Sequence, residues 1–204
     1  MIGSKSRDDL FRDICTPERG VNLTTLENTI LLAVEIAREG REGRKIGTMF
    51  VVSDAANTLK HSRPMILDPL ICHDNDQKQL DNPSMRETVK ELAQLDGAFV
   101  VSDEGVVLSA CRYIDASSEG IELPLGLGSR HMAAASITRE TDAVAVVVSE
   151  TSMVRVFDDG EIISEIIPEL WMLRRQFHLK GPYSTRTGTQ WTVASRRHPP
   201  QDPK

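Results

Sequence analysis

Aromatic residues are scarce in this chain. Five Phe, two Tyr and two Trp make up 4% of 204 residues, while hydrophobic residues of all kinds reach 40%. Any core must therefore be built from Ile, Leu, Val and Ala. Cysteine is equally sparse: Cys15, Cys72 and Cys111 are far apart, odd in number and form no Cys-x-x-Cys. That argues against a disulfide framework or a zinc site and favours a reducing, cytoplasmic setting. No apolar run approaches the roughly 20 residues of a membrane span, and the opening MIGSKSRDDLFRD lacks the apolar stretch of a secretory signal. Positive charge is not in excess either. The net charge of −6 is the wrong sign for a protein that grips a nucleic acid backbone, so no nucleic acid partner is expected. A small basic pocket for one nucleotide remains compatible with it. Two nucleotide signatures are missing as well: there is no Gly-x-x-x-x-Gly-Lys-Ser/Thr, and Gly126-Leu127-Gly128 lacks the third glycine of a dinucleotide fingerprint.

What is present reads as alternating helices and strands. Residues 1–22 are polar and broken by Pro17 and Gly20, a poorly defined lead-in. Thr24-Thr25-Leu26-Glu27 has the form of a capping box. Leu26, Ile30, Ala33, Val34 and Ala37 follow at helical spacing, and Gly40 supplies a stop, which predicts a helix over about 24–39. A basic loop, Arg41–Lys45, leads to a short strand at Gly47–Val52. Residues 54–83 read mainly as connection, with a candidate strand within Pro64–Cys72. Ser84-Met85-Arg86-Glu87 is a second capping box, opening a helix that ends near Leu95. Phe99–Val101 and Val106–Ile114 read as strands around the turn Asp103-Glu104-Gly105. Ser129 is placed to cap a helix over Arg130–Glu140. Ala143–Val148 is continuous and β-branched, the pattern of a buried central strand. Met153–Phe157 and Glu161–Ile166 flank Asp158-Asp159-Gly160, a hairpin signal. Pro168 suits the first turn of a helix carrying Leu170, Leu173 and Phe177. From Tyr183 the chain is rich in Ser, Thr, Arg and Pro and is expected to be disordered. The fold class is therefore α/β, a single domain with a mixed central sheet flanked by helices. Its expected limits are 23–182, with a lead-in at 1–22 and a tail at 183–204.

Three places carry candidate chemistry. Asp96, at a helix-to-strand junction before Gly97 and Ala98, is either a turn residue or a carboxylate for a divalent metal. Ser129-Arg130-His131 is either an ordinary helix start or a phosphate site, in which free N–H groups, the helix dipole and the guanidinium fork act together. Ser149 and Glu150 end the apolar strand. They are either surface residues or part of the crevice that strand ends form in α/β sheets.

The order and spacing of these pieces are specific. Asp96-Gly97-Ala98, a strand–turn–strand unit, Gly128-Ser129-Arg130-His131 followed by small residues, then Thr141-Asp142-Ala143-Val144 and a valine strand ending Ser149-Glu150 closely resemble the diadenylate cyclase domain, which makes the second messenger cyclic di-AMP. The resemblance is tightest over 96–150 and covers roughly two-thirds of the chain. It departs from the family pattern at Met132, where the signature usually has a second Arg, and at Thr151 and Ser152, where a second acid often follows. It implies a nucleotidyltransferase that condenses two ATP into cyclic di-AMP and pyrophosphate. Carried over residue by residue, Asp96 binds the metal, Mg²⁺ or Mn²⁺, and assists the 3′-hydroxyl. Gly97 and Ala98 line the ribose and phosphate. Gly128, Ser129, Arg130 and His131 hold phosphate oxygens, with Arg130 and His131 catalytic beside Asp96. Ser149 and Glu150 lie at the polyphosphate or metal edge, and Tyr113-Ile114 contacts adenine. Since one ATP cannot cyclise alone, the resemblance also implies a homo-oligomer, at least a dimer with facing sites. Two other readings compete: a module of this fold that binds ATP or cyclic di-AMP without turnover, and an unrelated α/β scaffold whose Arg196-Arg197 tail binds a partner.

Overall fold

The computed structural model describes residues 14–169 apart from 116 and 118, together with 183–187 and 192–196. The chain divides into two compact units, Met1–Pro168 and Glu169–Lys204.

In the first unit, helix α1 (Leu23–Glu39) leads into strand β1 (Thr48–Val52), helix α2 (Ala55–Lys60) and strand β2 (Ser62–Pro64). Helix α3 (Pro83–Leu92), strands β3 (Ala98–Val101) and β4 (Val107–Ile114), and helix α4 (Ser129–Glu140) follow. Strands β5 (Val144–Val148), β6 (Val154–Asp158) and β7 (Glu161–Ile166) complete it. The seven strands form one sheet in the order β2-β4-β3-β1-β5-β6-β7. Only β1 and β3 pair in parallel; β1 with β5 and every other neighbour are antiparallel, so the sheet is mixed as expected.

β1, β3 and β5 are buried at every position because helices cover both faces. Met49, Val51, Ala145, Val147 and Phe157 pack with Ala134, Ala135 and Ile137 of α4. On the opposite face, Phe50 stacks on Phe99 with ring centroids 5.0 Å apart. There α1 buries Leu26, Ile30, Ala33, Val34 and Ala37, the stripe read from the sequence. Three alanines in α4 let its axis come close to the sheet, which carries the start of the helix to the strand ends. Charge pairs join α1 to α3: Arg86 meets Glu35 at 2.9 Å, and the buried Lys90 meets Glu35 at 3.2 Å and Glu39 at 3.3 Å.

The helix starts differ from the expected ones in a consistent way. α1 is capped by Asn22, whose side chain accepts from Thr25 N at 3.1 Å, and not by Thr24. α3 is capped by Asn82, which accepts from Ser84 N at 2.9 Å, with Pro83 in the first turn. α4 begins at Ser129 itself with Gly128 as the cap residue, so Ser129 is not the N-cap, and no side chain closes that end. In the first two cases an Asn upstream reaches the free N–H groups before Thr or Ser can.

Two further expectations change. Residues 54–83 contain α2 and β2, and of the stretch Pro64–Cys72 only Pro64 belongs to a strand, as the last residue of β2. A helix of six residues is too short to show a period, which is why it stayed hidden. The described part of the lead-in packs on the fold: Ile14 and Val21 are buried, and Arg19 forms an ion pair with Asp158. The three cysteines are free. Among the described residues no helix is long and apolar enough to cross a membrane.

In the second unit, strands β8 (Tyr183–Thr187) and β9 (Thr192–Arg196) pair antiparallel in register from Tyr183↔Arg196 to Thr187↔Thr192. These strands stand where the composition predicts disorder; alternation of Tyr, Thr and Val with small polar residues suits a ladder once a partner strand is present. The helix expected over Leu170, Leu173 and Phe177 lies outside the described residues.

Candidate functional site

One end of the sheet gathers the beginnings of β1 and β3 and the ends of β4 and β5. Thr48 pairs with Val148, Met49 with Ala98, and Ala98 with Arg112. The loops that carry Gly47, Asp96 and Glu150 must therefore meet there, and α4 delivers Arg130 to the same place. Arg130 bridges both acids: Nη2 lies 3.0 Å from Asp96 Oδ1, and Nη1 lies 3.3 Å from Glu150 Oε1. The two carboxylate side chains are 69% exposed and the guanidinium side chain 33%, so the pairs face solvent and each is worth little by itself. Arg130 Nε is buried without a hydrogen-bond partner. The residues at 96, 130 and 150, spread over 55 positions of sequence, form one constellation.

Gly47 belongs to it, and the sequence reading missed it. A Cβ at Gly47 would fall 2.6 Å from Arg130 Nη1 and 3.1 Å from Glu150 Cγ. The residue is small so that the Arg130 fork can lie against the main chain. The only sequence signal was its place between a basic loop and a strand.

Gly97 also has a reason within the fold. Its φ is +108°, and a Cβ there would fall 2.7 Å from Cys111 C and 2.8 Å from Arg112 N. The close approach is to β4's own backbone at a point where the β3–β4 register shifts and Cys111 takes a φ of +55°. Gly97 N also donates to Asp96 Oδ1 at 2.9 Å, which turns the carboxylate back over the strand start. Ala98 is buried in the core beneath α4 and offers no side chain to a ligand.

The start of α4 divides its residues between two directions. Ser129 is exposed, and the first-turn N–H groups have no side-chain cap. His131 is buried and turns inward, with its ring 6.1 Å from that of Phe157. Burial, then the nearby Arg155 and Arg130 cations, hold its pKa below the ordinary value of 6.5 against the opposing pull of Glu165. The ring is thus a neutral group and adds no charge to Arg130.

Ser149 Oγ is engaged locally with Thr151 Oγ1 at 2.9 Å and accepts from Thr151 N at 3.3 Å, which shapes the turn that presents Glu150. At the end of β4, Tyr113 is half-exposed beneath the Arg63 guanidinium, 4.6 Å from its ring centroid, whereas Ile114 is buried in the core. Among the described residues no group of three or more His, Cys, Asp or Glu gathers as a preformed metal cage. Asp96 and Glu150 are instead a two-carboxylate set, which suits a hard divalent ion completed by substrate oxygens and water. A polar cleft of about 490 Å³ lies at the opposite end of the sheet, lined by Asp54, Asn57, Asp142 and Asp158 among others. Its groups serve the fold: Asp54 accepts from Asn57 Nδ2 and Asp142 N, and Asp158 holds Arg19.

Residues 35–162 match the family model described as DisA bacterial checkpoint controller nucleotide-binding. A diadenylate cyclase of Methanocaldococcus jannaschii is 46% identical over 145 residues, covering 71% of this chain and 46% of that protein. A diadenylate cyclase of Haloferax volcanii is 41% identical over 141 residues, covering 69% of this chain and 51% of that protein. The chain thus spans about half the length of these curated relatives. A crystal structure of a hypothetical membrane spanning protein from Bacillus cereus aligns with a TM-score of 0.51 at 20% identity, over 68% of this chain and 61% of that one, a likeness of fold. With 128 consecutive residues matched, reaching from α1 to β7 and taking in Gly47, Asp96, Arg130 and Glu150, the chain belongs to the DisA bacterial checkpoint controller nucleotide-binding family.

Proposed function

We propose that this chain is a diadenylate cyclase that condenses two ATP into cyclic di-AMP and two pyrophosphates. The observation that carries the reading is the bridge from Arg130 to Asp96 and Glu150 at the strand ends. It places a cation and two acids at the uncapped start of α4. The high identity to two curated diadenylate cyclases supports the same assignment.

Asp96 and Glu150 would hold the divalent metal, Mg²⁺ or Mn²⁺. Bound there, the metal would neutralise phosphate charge. Arg130, released from the two acids, turns its fork to the phosphate oxygens, and the free N–H groups of Ser129 and its neighbours add neutral donors. Each ribose 3′-hydroxyl, assisted by Asp96, gives up its proton as its oxygen forms a bond to the other nucleotide's α-phosphorus, and each α–β bridging bond breaks to release pyrophosphate. Charge gathers on the phosphoryl oxygens in that step, where Arg130 stabilises it. Tyr113 is the exposed ring beside the site that suits contact with adenine, while Ile114 acts from the core.

Two sites must face each other for the exchange, so the active species is a dimer or a larger even assembly. A cytoplasmic location and a catalytic unit over 23–182 accord with this reading. The test is incubation with ATP and Mg²⁺ or Mn²⁺ across a range of protein concentrations. Cyclic di-AMP and pyrophosphate should appear in a 1:2 ratio, with a rate that rises as the square of concentration while monomers dominate. ATP binding without cyclic product would replace the cyclase with a binding module.

A further inference from the structure

Successive residues on a helix point about 100° apart, and the first turn of α4 uses that divergence. Arg130 goes to the acids at the sheet end, and His131 goes down onto β6. In β6, Val154 and Val156 are fully buried, and the intervening Arg155 alternates with them to share Phe157's face beneath α4. Arg155 Nη1 lies 3.2 Å from His131 Nε2. Its Nε lies 2.6 Å from Glu165 Oε1, and Glu165 is the residue directly opposite on β7. A guanidinium has donors and no acceptor, so His131 Nε2 must accept. The ring proton then sits on Nδ1.

We propose that Arg155, braced by Glu165 across the β6–β7 ladder, is a positioning residue that locks His131 as the neutral Nδ1–H tautomer and so fixes which donor the start of α4 presents. The depressed pKa of His131 agrees with it. Lysine could not do the same, because one ammonium cannot hold Glu165 and His131 in the fixed fork that Nε and Nη1 provide. The effect on turnover rests on the cyclase reading above; the tautomer does not.

The experiment is long-range proton–nitrogen NMR of the whole chain above pH 6.5, with the His131 signals identified by their loss in His131→Gln. The wild type should show an unprotonated Nε2 and a protonated Nδ1. Arg155→Met should give mixed tautomers and slow cyclic di-AMP formation by on the order of 100-fold, the cost of a misplaced donor. Arg155→Lys, which keeps the charge and donors but loses the fixed fork, should recover only part of the rate. A protonated Nε2 in the wild type overturns the proposal, as does an Arg155→Met chain with wild-type tautomer and turnover. If Arg155→Met does not fold, the wild-type spectrum and the Arg155→Lys rate decide. A chain with the Nδ1–H spectrum and no turnover would sink the cyclase reading and leave the lock in place.

Discussion

Gly47 lies against Arg130, with room for a hydrogen and none for a methyl group: a Cβ would come within 2.6 Å of Nη1. Gly47 has no left-handed φ, and what it would strike is the far end of a flexible side chain. Gly47→Ala should therefore keep its stability within about 1 kcal/mol. It should also push Arg130 off the line to Asp96 and Glu150. A misplacement of about 1 Å can cost on the order of 100-fold in rate. The expected result is a folded protein with cyclase activity reduced by roughly 10- to 100-fold, read from thermal unfolding and product formation on the same sample.

Gly97→Ala should behave in the opposite way. The left-handed φ alone costs roughly 1–3 kcal/mol for a residue with a side chain, and the obstacle is backbone at Cys111 and Arg112, which cannot swing aside. Denaturant unfolding should show a large loss of stability, and any loss of activity should follow the unfolded fraction. A stable Gly97→Ala protein would mean that the β3–β4 crossing is looser than its register implies.

Asp96→Asn keeps shape and removes charge. Its side chain is mostly exposed, so folding should be unaffected while cyclic di-AMP synthesis is lost at every Mg²⁺ or Mn²⁺ concentration tried. Arg130→Ala should slow synthesis by roughly 10- to 150-fold for each charged hydrogen bond lost. Wild-type rates in either variant would remove that residue from the proposed site.

His131 gives a pH prediction with a definite sign. Its folded pKa lies below the ordinary 6.5 that the unfolded chain should show. Above 6.5 both states carry a neutral ring and the group contributes nothing to the pH slope. Below 6.5 the unfolded chain binds a proton that the folded chain resists, so stability falls as the pH drops through that value. Urea unfolding measured roughly one unit above and one unit below 6.5 should show the wild type losing more stability than His131→Gln. Parallel losses would show that His131 titrates freely in the fold.

The sequence revealed the strands well because β1, β3 and β5 are covered on both faces and stand out as short β-branched runs. Asp96, Arg130 and Glu150 stood out by position: Asp96 just before the start of β3, Arg130 in the first turn of α4, and Glu150 just past the end of β5. Helix starts were less legible. Thr24, Ser84 and Ser129 each look like caps, but Asn22, Asn82 and Gly128 stand earlier in the chain and take that place. Asn82-Pro83 carried a readable signal, since proline suits the first helical position. Arg155 was invisible: one charged residue among valines reads as a solvent-facing position, and only the approach of α4 over β6 turns it inward. Gly47 was hidden for a similar reason, because its neighbours come from two other parts of the chain.

The most direct test of the account is a crystal structure of this chain with Mg²⁺ and 3′-deoxy-ATP, which lacks the attacking hydroxyl and cannot cyclise. The account predicts the triphosphate at the start of α4, with Arg130 on phosphate oxygens and Asp96 and Glu150 turned toward the metal. A triphosphate bound instead at the opposite end of the sheet, between Asp54 and Asp158, with Arg130 still holding both acids, would contradict it.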